Sequence, residues 1–144
     1  MRKNKYNNKK FYWNGFTFDS KKEYNYYVEL KHKSEKLNEF KLIVKPIFEL
    51  IPKFKFNNAS IRRATIQPDF LLIYPPDNDC MIYEVQDVKG FDKKKNKFRT
   101  TEKFDLQWKL LKFMALAEEL RGYEYNKESV SIPERAVEWK FTLV

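Results

Sequence analysis

The chain has 144 residues, 42% of them hydrophobic and 17% aromatic, which suits one packed domain and argues against wholesale disorder. Its 29 Lys and Arg against 20 Asp and Glu give a net charge of +9, which favours a polyanionic partner, nucleic acid before an anionic membrane. No apolar run approaches the roughly 18 residues of a membrane span, and three glycines leave no P-loop or GxGxxG turn.

Cys80 is the only cysteine, so no internal disulfide can form, and a reducing, cytoplasmic setting is expected. Cys80 and His32 cannot make a zinc site between them. The basic start, MRKNKYNNKK, is not followed by an apolar stretch and is not a secretory signal.

Residues 1–10 read as a flexible basic arm, and 11–144 as a single domain. Phe11–Phe18 holds Asn14-Gly15 between aromatic pairs, a two-residue hairpin signal. Ser20 and Glu23 form a capping box that starts a helix running to about Leu37, with Tyr24, Tyr27, Val28 and Leu30 on or near its buried face. A short extended stretch, Phe40–Val44, ends before Pro46. Ile47–Phe56 reads as a strand bent or placed at an edge by Pro52. After a turn at Asn57–Ser60 comes a mostly buried strand, Thr65–Tyr74, then a turn over Pro75–Asp79 and a further strand, Met81–Lys89. Residues 91–101 read as a basic loop. A second helix spans Glu102 to Arg121, with Gly122 as its stop, and Ala136–Val144 alternates as a last strand. The coarse order is a hairpin followed by α-β-β-β-α-β, an α/β fold.

Asp69, Asp87 and Lys89 are the polar residues out of place in apolar strands, with Glu84 beside them. A carboxylate in a buried strand is costly unless paired, hydrogen-bonded or bound to metal. Period-two alternation puts Asp87 and Lys89 on one face, with Glu84 and Gln86 on the other, where solvent or a sheet edge is expected. A hairpin brings the start of one strand to the end of the next, so Asp69 should meet Asp87 and Lys89. Two carboxylates and an ammonium suit a hard divalent cation, Mg2+ or Mn2+, and Glu23 is the candidate for a third carboxylate. An acid two before a lysine occurs six times in this lysine-rich chain, so the strand context carries the weight.

Pro68-Asp69, seventeen residues, then Asp87-Val88-Lys89 resembles the PD-(D/E)xK nuclease superfamily. The phrase Glu84–Gly90, with Phe18–Glu23 upstream, is similar to its small phage-type endonucleases, some of which cleave branched DNA such as Holliday junctions. The resemblance implies a restriction-endonuclease-like α-β-β-β-α-β core. It implies Asp69 and Asp87 as metal ligands with the Val88 main-chain carbonyl as a third, Lys89 as the catalytic lysine, and Glu23 as the first-helix glutamate. On the second helix it points to Gln107 and Lys109 as phosphate contacts. The Gln-x-x-x-Tyr motif of some relatives is not kept, because Leu111 follows Gln107 at that spacing. The implied enzyme is intracellular, phage-encoded and DNA-cleaving, and its branched-DNA relatives act as homodimers.

Lys89–Lys103 holds seven basic residues and two acids. Lys93, Lys94, Lys95, Lys97, Arg99 and Lys103 are therefore expected to track a DNA phosphate backbone. Phe91, Phe98 and Trp108 are expected in the core. Phe11, Tyr12, Trp13 and Phe16 are one candidate dimer patch. The competing reading is a non-catalytic DNA-binding or interaction module on the same fold.

Overall fold

The computed structural model describes residues 10–77, 79–134 and 137–144. Most of the expected basic arm, Asn78 of the expected turn and Ala136 of the last strand lie outside the described residues. The chain forms two compact units, Met1–Leu42 and Ile43–Val144.

In the first unit, β1 (Phe11–Trp13) pairs antiparallel with β2 (Phe16–Phe18). Asn14 and Gly15 both take positive φ, 51° and 81°, the signature of a type I′ hairpin turn. The helix α1 spans Lys21–Glu35, with the Ser20 hydroxyl accepting the Glu23 N–H at 3.1 Å. It stops before Leu37, and Asn38 just beyond is left-handed at φ 51°. Phe18, Tyr27 and Leu30 are buried, with the Phe18 and Tyr27 rings 4.8 Å apart. Val28, expected near the buried face, is exposed.

The second unit is built on a four-stranded sheet of order β14-β9-β8-β3. These strands are β3 (Lys41–Val44, entering the unit at Ile43), β8 (Phe70–Asp77), β9 (Cys80–Asp87) and β14 (Val137–Leu143). β8 and β9 pair antiparallel from Phe70↔Gln86 to Tyr74↔Ile82. β14 runs parallel to β9, from Val137↔Met81 to Leu143↔Asp87. Such a parallel return needs a long crossover, which α2 (Glu102–Leu116) supplies. In chain order, the helices and the strands of this sheet run α1-β3-β8-β9-α2-β14.

A long interrupted hairpin lies between β3 and β8. β4 (Phe48–Ile51) pairs with β7 (Ala64–Ile66), and β5 (Phe54–Phe56) with β6 (Ala59–Ile61). Pro52 splits the single strand expected over Ile47–Phe56, because it cannot donate to a ladder. Likewise Pro68 separates β7 from β8, where one strand over Thr65–Tyr74 is expected. The expected turn at Pro75–Asp79 is partly strand, since β8 continues through both prolines to Asp77 with a register shift after Tyr74.

The expected basic loop contains a hairpin, β10 (Phe91–Asp92) with β11 (Lys97–Phe98). α2 ends at Leu116 rather than Arg121, and Glu118 is left-handed at φ 58°. Gly122 is therefore not the helix stop. It opens β12 (Gly122–Tyr125), which pairs with β13 (Glu128–Ser131) about an Asn126-Lys127 turn. Glycine is required there because a Cβ would fall 2.7 Å from the Val130 carbonyl oxygen.

The core of this unit gathers Ile43, Phe48, Leu50, Ile66, Leu71, Tyr83, Val85, Phe104, Trp108, Leu111, Leu120 and Tyr123. The fold is mixed α/β, mostly strands with two helices. Among the described residues, no helix is long and apolar enough to cross a membrane.

Candidate active site

Tyr83 and Val85 point from β9 into the core, and alternation continues that row to Asp87 at the strand end. The Asp87 side chain is only 7% exposed. Its Oδ1 lies 3.0 Å from the Lys89 ammonium, which also sits 3.9 Å from the centre of the Phe104 ring on α2. The lysine is thus held between a carboxylate and an aromatic face. Beside it, the extra reach of β14 fixes the backbone. The Val144 N–H donates to the Asp87 carbonyl at 2.9 Å, and the Lys89 N–H donates to the Val144 carbonyl at 3.0 Å.

Asp69 sits in the break between β7 and β8, just after the fully buried Pro68. Its Oδ2 accepts the Val88 N–H at 2.7 Å, and its carbonyl accepts the Lys45 N–H at 2.9 Å. Burial, together with the Asp87 charge beside it, pushes the Asp69 carboxyl up to about 7, against the pull of the Val88 N–H and of Lys45. Asp69, Asp87, Val88 and Lys89 therefore meet at one end of the β8–β9 pair, as the spacing leads one to expect.

Lys45 is the member that sequence reasoning missed. Its ammonium lies 3.8 Å from Asp69 Oδ1. It follows β3 at φ 55°, outside any periodic pattern, and only the pairing of β3 beside β8 brings it to Asp69. No signal in the spacing of the motif residues points to it.

Glu23 belongs to the first unit. Besides giving its N–H to Ser20, it accepts the Asp19 N–H on Oε2 at 3.2 Å. It is 4% exposed, deeper than a surface cap requires.

Glu84 and Gln86 are not the solvated residues expected. Gln86 is buried, and Glu84 accepts hydrogen bonds from the Tyr74 hydroxyl at 2.9 Å and the Thr142 hydroxyl at 2.8 Å. Burial raises the Glu84 carboxyl, but hydrogen bonds from Gln86, Thr142 and Tyr74 outweigh it and hold the group below the usual range.

The basic hairpin after Lys89 is locally ordered. Asp92 Oδ1 accepts the N–H groups of Lys94 and Lys95 at 3.0 and 3.2 Å, an Asx turn, and Asn96 is left-handed at φ 51°. The Arg99 N–H closes it onto the Gly90 carbonyl at 2.7 Å. Lys93, Lys94, Lys95, Lys97, Arg99, Lys103 and Lys109 are exposed. Gln107 is half-buried, and its amide donates to the Thr65 carbonyl at 3.0 Å, tying α2 to β7. Trp108 is in the core as expected, whereas Phe91 is exposed against the edge of Phe98. In the first unit, Phe11 stacks on Tyr24 and Phe16 meets the Tyr27 ring, while Tyr12 and Trp13 stay exposed.

Among the described residues, no group of three or more His, Cys, Asp or Glu side chains gathers as a cation site. The arrangement is two adjacent carboxylates, Asp87 buried and Asp69 half-buried, with two lysines, followed in sequence by a basic hairpin.

The chain belongs to the DUF1064 family, described as a protein of unknown function, whose profile matches residues 3–124. No curated protein and no solved structure matches it.

Proposed function

We propose that this DUF1064 chain is a Mg2+- or Mn2+-dependent DNA endonuclease of the PD-(D/E)xK type. The observation that carries the reading is the meeting of Asp69 with Asp87 and Lys89, through Val88, at the end of two paired strands. The chain order α1-β3-β8-β9-α2-β14 supports a restriction-endonuclease-like core.

The residues fit such a cation. Mg2+ is commonly bound through one or two carboxylates, with water and substrate phosphate completing its shell, so a third acid is not required. Two carboxylates side by side, one with its proton affinity raised by burial and by the other's charge, are a site whose repulsion a divalent cation relieves. Asp69 and Asp87 would hold it, with the Val88 carbonyl available beside them. Once bound, the cation supplies Lewis acidity and lowers the pKa of a coordinated water. Lys89, fixed by Asp87 and Phe104, orients the attacking water and meets negative charge developing on the scissile phosphate. The Lys93–Lys97 hairpin tip and Arg99 carry DNA by its backbone. The working form is proposed to be an intracellular homodimer acting on branched DNA.

The test is cleavage of linear duplex, single-stranded and four-way-junction DNA with Mg2+ or EDTA, comparing wild type with Asp87→Asn. Mg2+-dependent cleavage lost in the variant is the expected result. Salt-sensitive binding that ignores EDTA, with no cleavage by wild type, would establish the rival DNA-binding module instead.

A further inference from the structure

The interrupted hairpin between β4 and β7 has two very different halves. At its base, Phe48, Leu50 and Ile66 are buried in the core. Farther out, every residue from Ile51 to Arg63 is exposed. The tip pairs Phe54↔Ile61, Lys55↔Ser60 and Phe56↔Ala59 about an Asn57-Asn58 turn with both φ values positive.

Opposed residues of an antiparallel pair share a face. One face therefore carries Phe54, Phe56, Ala59 and Ile61, and the other Lys55 and Ser60, with Lys53 and Arg62 flanking. Phe54 is 43% and Phe56 64% exposed. A two-stranded ribbon is marginal in water by itself, and an aromatic face left open adds to that cost. The segment from Ile51 to Arg63 contains four basic residues and no acid. Arg63 is already spent on Glu49 and Glu124, which ties the root of the ribbon to β4 and β12. Lys53, Lys55 and Arg62 remain to face a partner.

We propose that this ribbon is a DNA-contacting arm in which Lys53, Lys55 and Arg62 follow the phosphate backbone while Phe54 and Phe56 stack on unpaired bases. The charge selects a polyanion. The aromatics select among polyanions, because phenylalanine has no hydrogen-bonding group with which to read base edges and gains only where a base presents its face. A single strand or branch point offers that; a continuous duplex does not. The inference takes from the proposed function only the identity of the polyanion as DNA.

The experiment is fluorescence anisotropy of the full chain, in EDTA, with labelled single-stranded, blunt-duplex and four-way-junction DNA and a single-stranded RNA control. Phe54→Ala/Phe56→Ala should weaken single-strand and junction binding by about tenfold or more and change duplex binding little. Phe54→Tyr/Phe56→Tyr should restore near wild-type affinity, which separates lost stacking from lost structure. Lys53→Ala/Lys55→Ala/Arg62→Ala should weaken binding to all DNAs and lower the slope of log affinity against log salt by about two to three.

Single-strand binding unaffected by the double alanine variant would overturn the inference. So would tighter binding to RNA, or a wild-type dimer that becomes monomeric in that variant at unchanged DNA affinity. If the stacking effect is present but wild type never cleaves with Mg2+, the arm stands and the nuclease reading falls.

Discussion

Asp69 accepts the main-chain N–H of Val88 at 2.7 Å, across nineteen residues of sequence. That bond joins the Pro-Asp break to the Asp-x-Lys strand end, and it aligns one carboxylate with the backbone that carries the other. The electrostatic consequence is a site that is uncomfortable when both acids are ionised.

Asp69→Asn should expose that discomfort. A carboxyl raised from 3.8 to about 7 on folding holds its proton more tightly in the folded chain. Its contribution to stability is complete below about 4 and is lost as pH rises through about 7. In EDTA at pH 8 the asparagine variant should therefore be the more stable protein, on the order of 4 kcal/mol, with little difference at pH 4. Mg2+ at pH 8 should raise the wild-type melting temperature and leave the variant unchanged. Urea and thermal melts read both, and a variant less stable than wild type at pH 8 contradicts the prediction.

Lys89 and Lys45 should behave differently. Lys89 Nζ lies 3.0 Å from Asp87 and is backed by an aromatic ring, whereas Lys45 Nζ lies 3.8 Å from Asp69. Lys89→Met should lower the cleavage rate by about a hundredfold or more, in line with loss of a charge-stabilising group. Lys45→Met should cost less than about tenfold. Single-turnover cleavage of the preferred DNA distinguishes them, and equal losses would remove Lys89 from its special role.

Phe104 is a positioning residue for Lys89. Phe104→Leu keeps an apolar side chain in the core at a cost of about 1 kcal/mol but removes the aromatic face beneath the ammonium. The rate constant for cleavage should fall several-fold while DNA affinity in EDTA stays at the wild-type value. A matched fall in affinity would assign the effect to general loosening of α2.

Glu84 provides the control carboxylate. Its two oxygens are taken by Tyr74 and Thr142, so Glu84→Gln should cost about 1 kcal/mol of stability and leave Mg2+-dependent cleavage intact. Lost cleavage at wild-type stability would bring Glu84 into the site.

Much of the second unit's main sheet was legible because its strands are apolar. In the first unit Asn14-Gly15 named its turn and Ser20 its helix start, whereas Thr101, the N-cap of α2, was not singled out. Asp69, Asp87 and Lys89 stood out because ionisable groups in apolar strands demand an explanation, and antiparallel pairing of neighbouring strands then brings them together. Lys45 stayed hidden because its place depends on β3 lying beside β8, a pairing that no short-range pattern encodes. The β12–β13 hairpin stayed hidden for a different reason. Its turn is Asn126-Lys127, and lysine at positive φ is not a turn signal. Glu84 was misjudged because alternation assigns a face but not what covers it.

The parallel partnership of β14 with β9 has a temporal meaning. A ribosome that has delivered the chain as far as Ser131 has already made both aspartates and the lysine, yet the strand that braces their backbone is still unmade. Pairing across such a long sequence gap is among the slower steps of folding. Asp87 and Lys89 thus gain the partner that braces their backbone only once β14, the last of the sheet's strands in chain order, has been made.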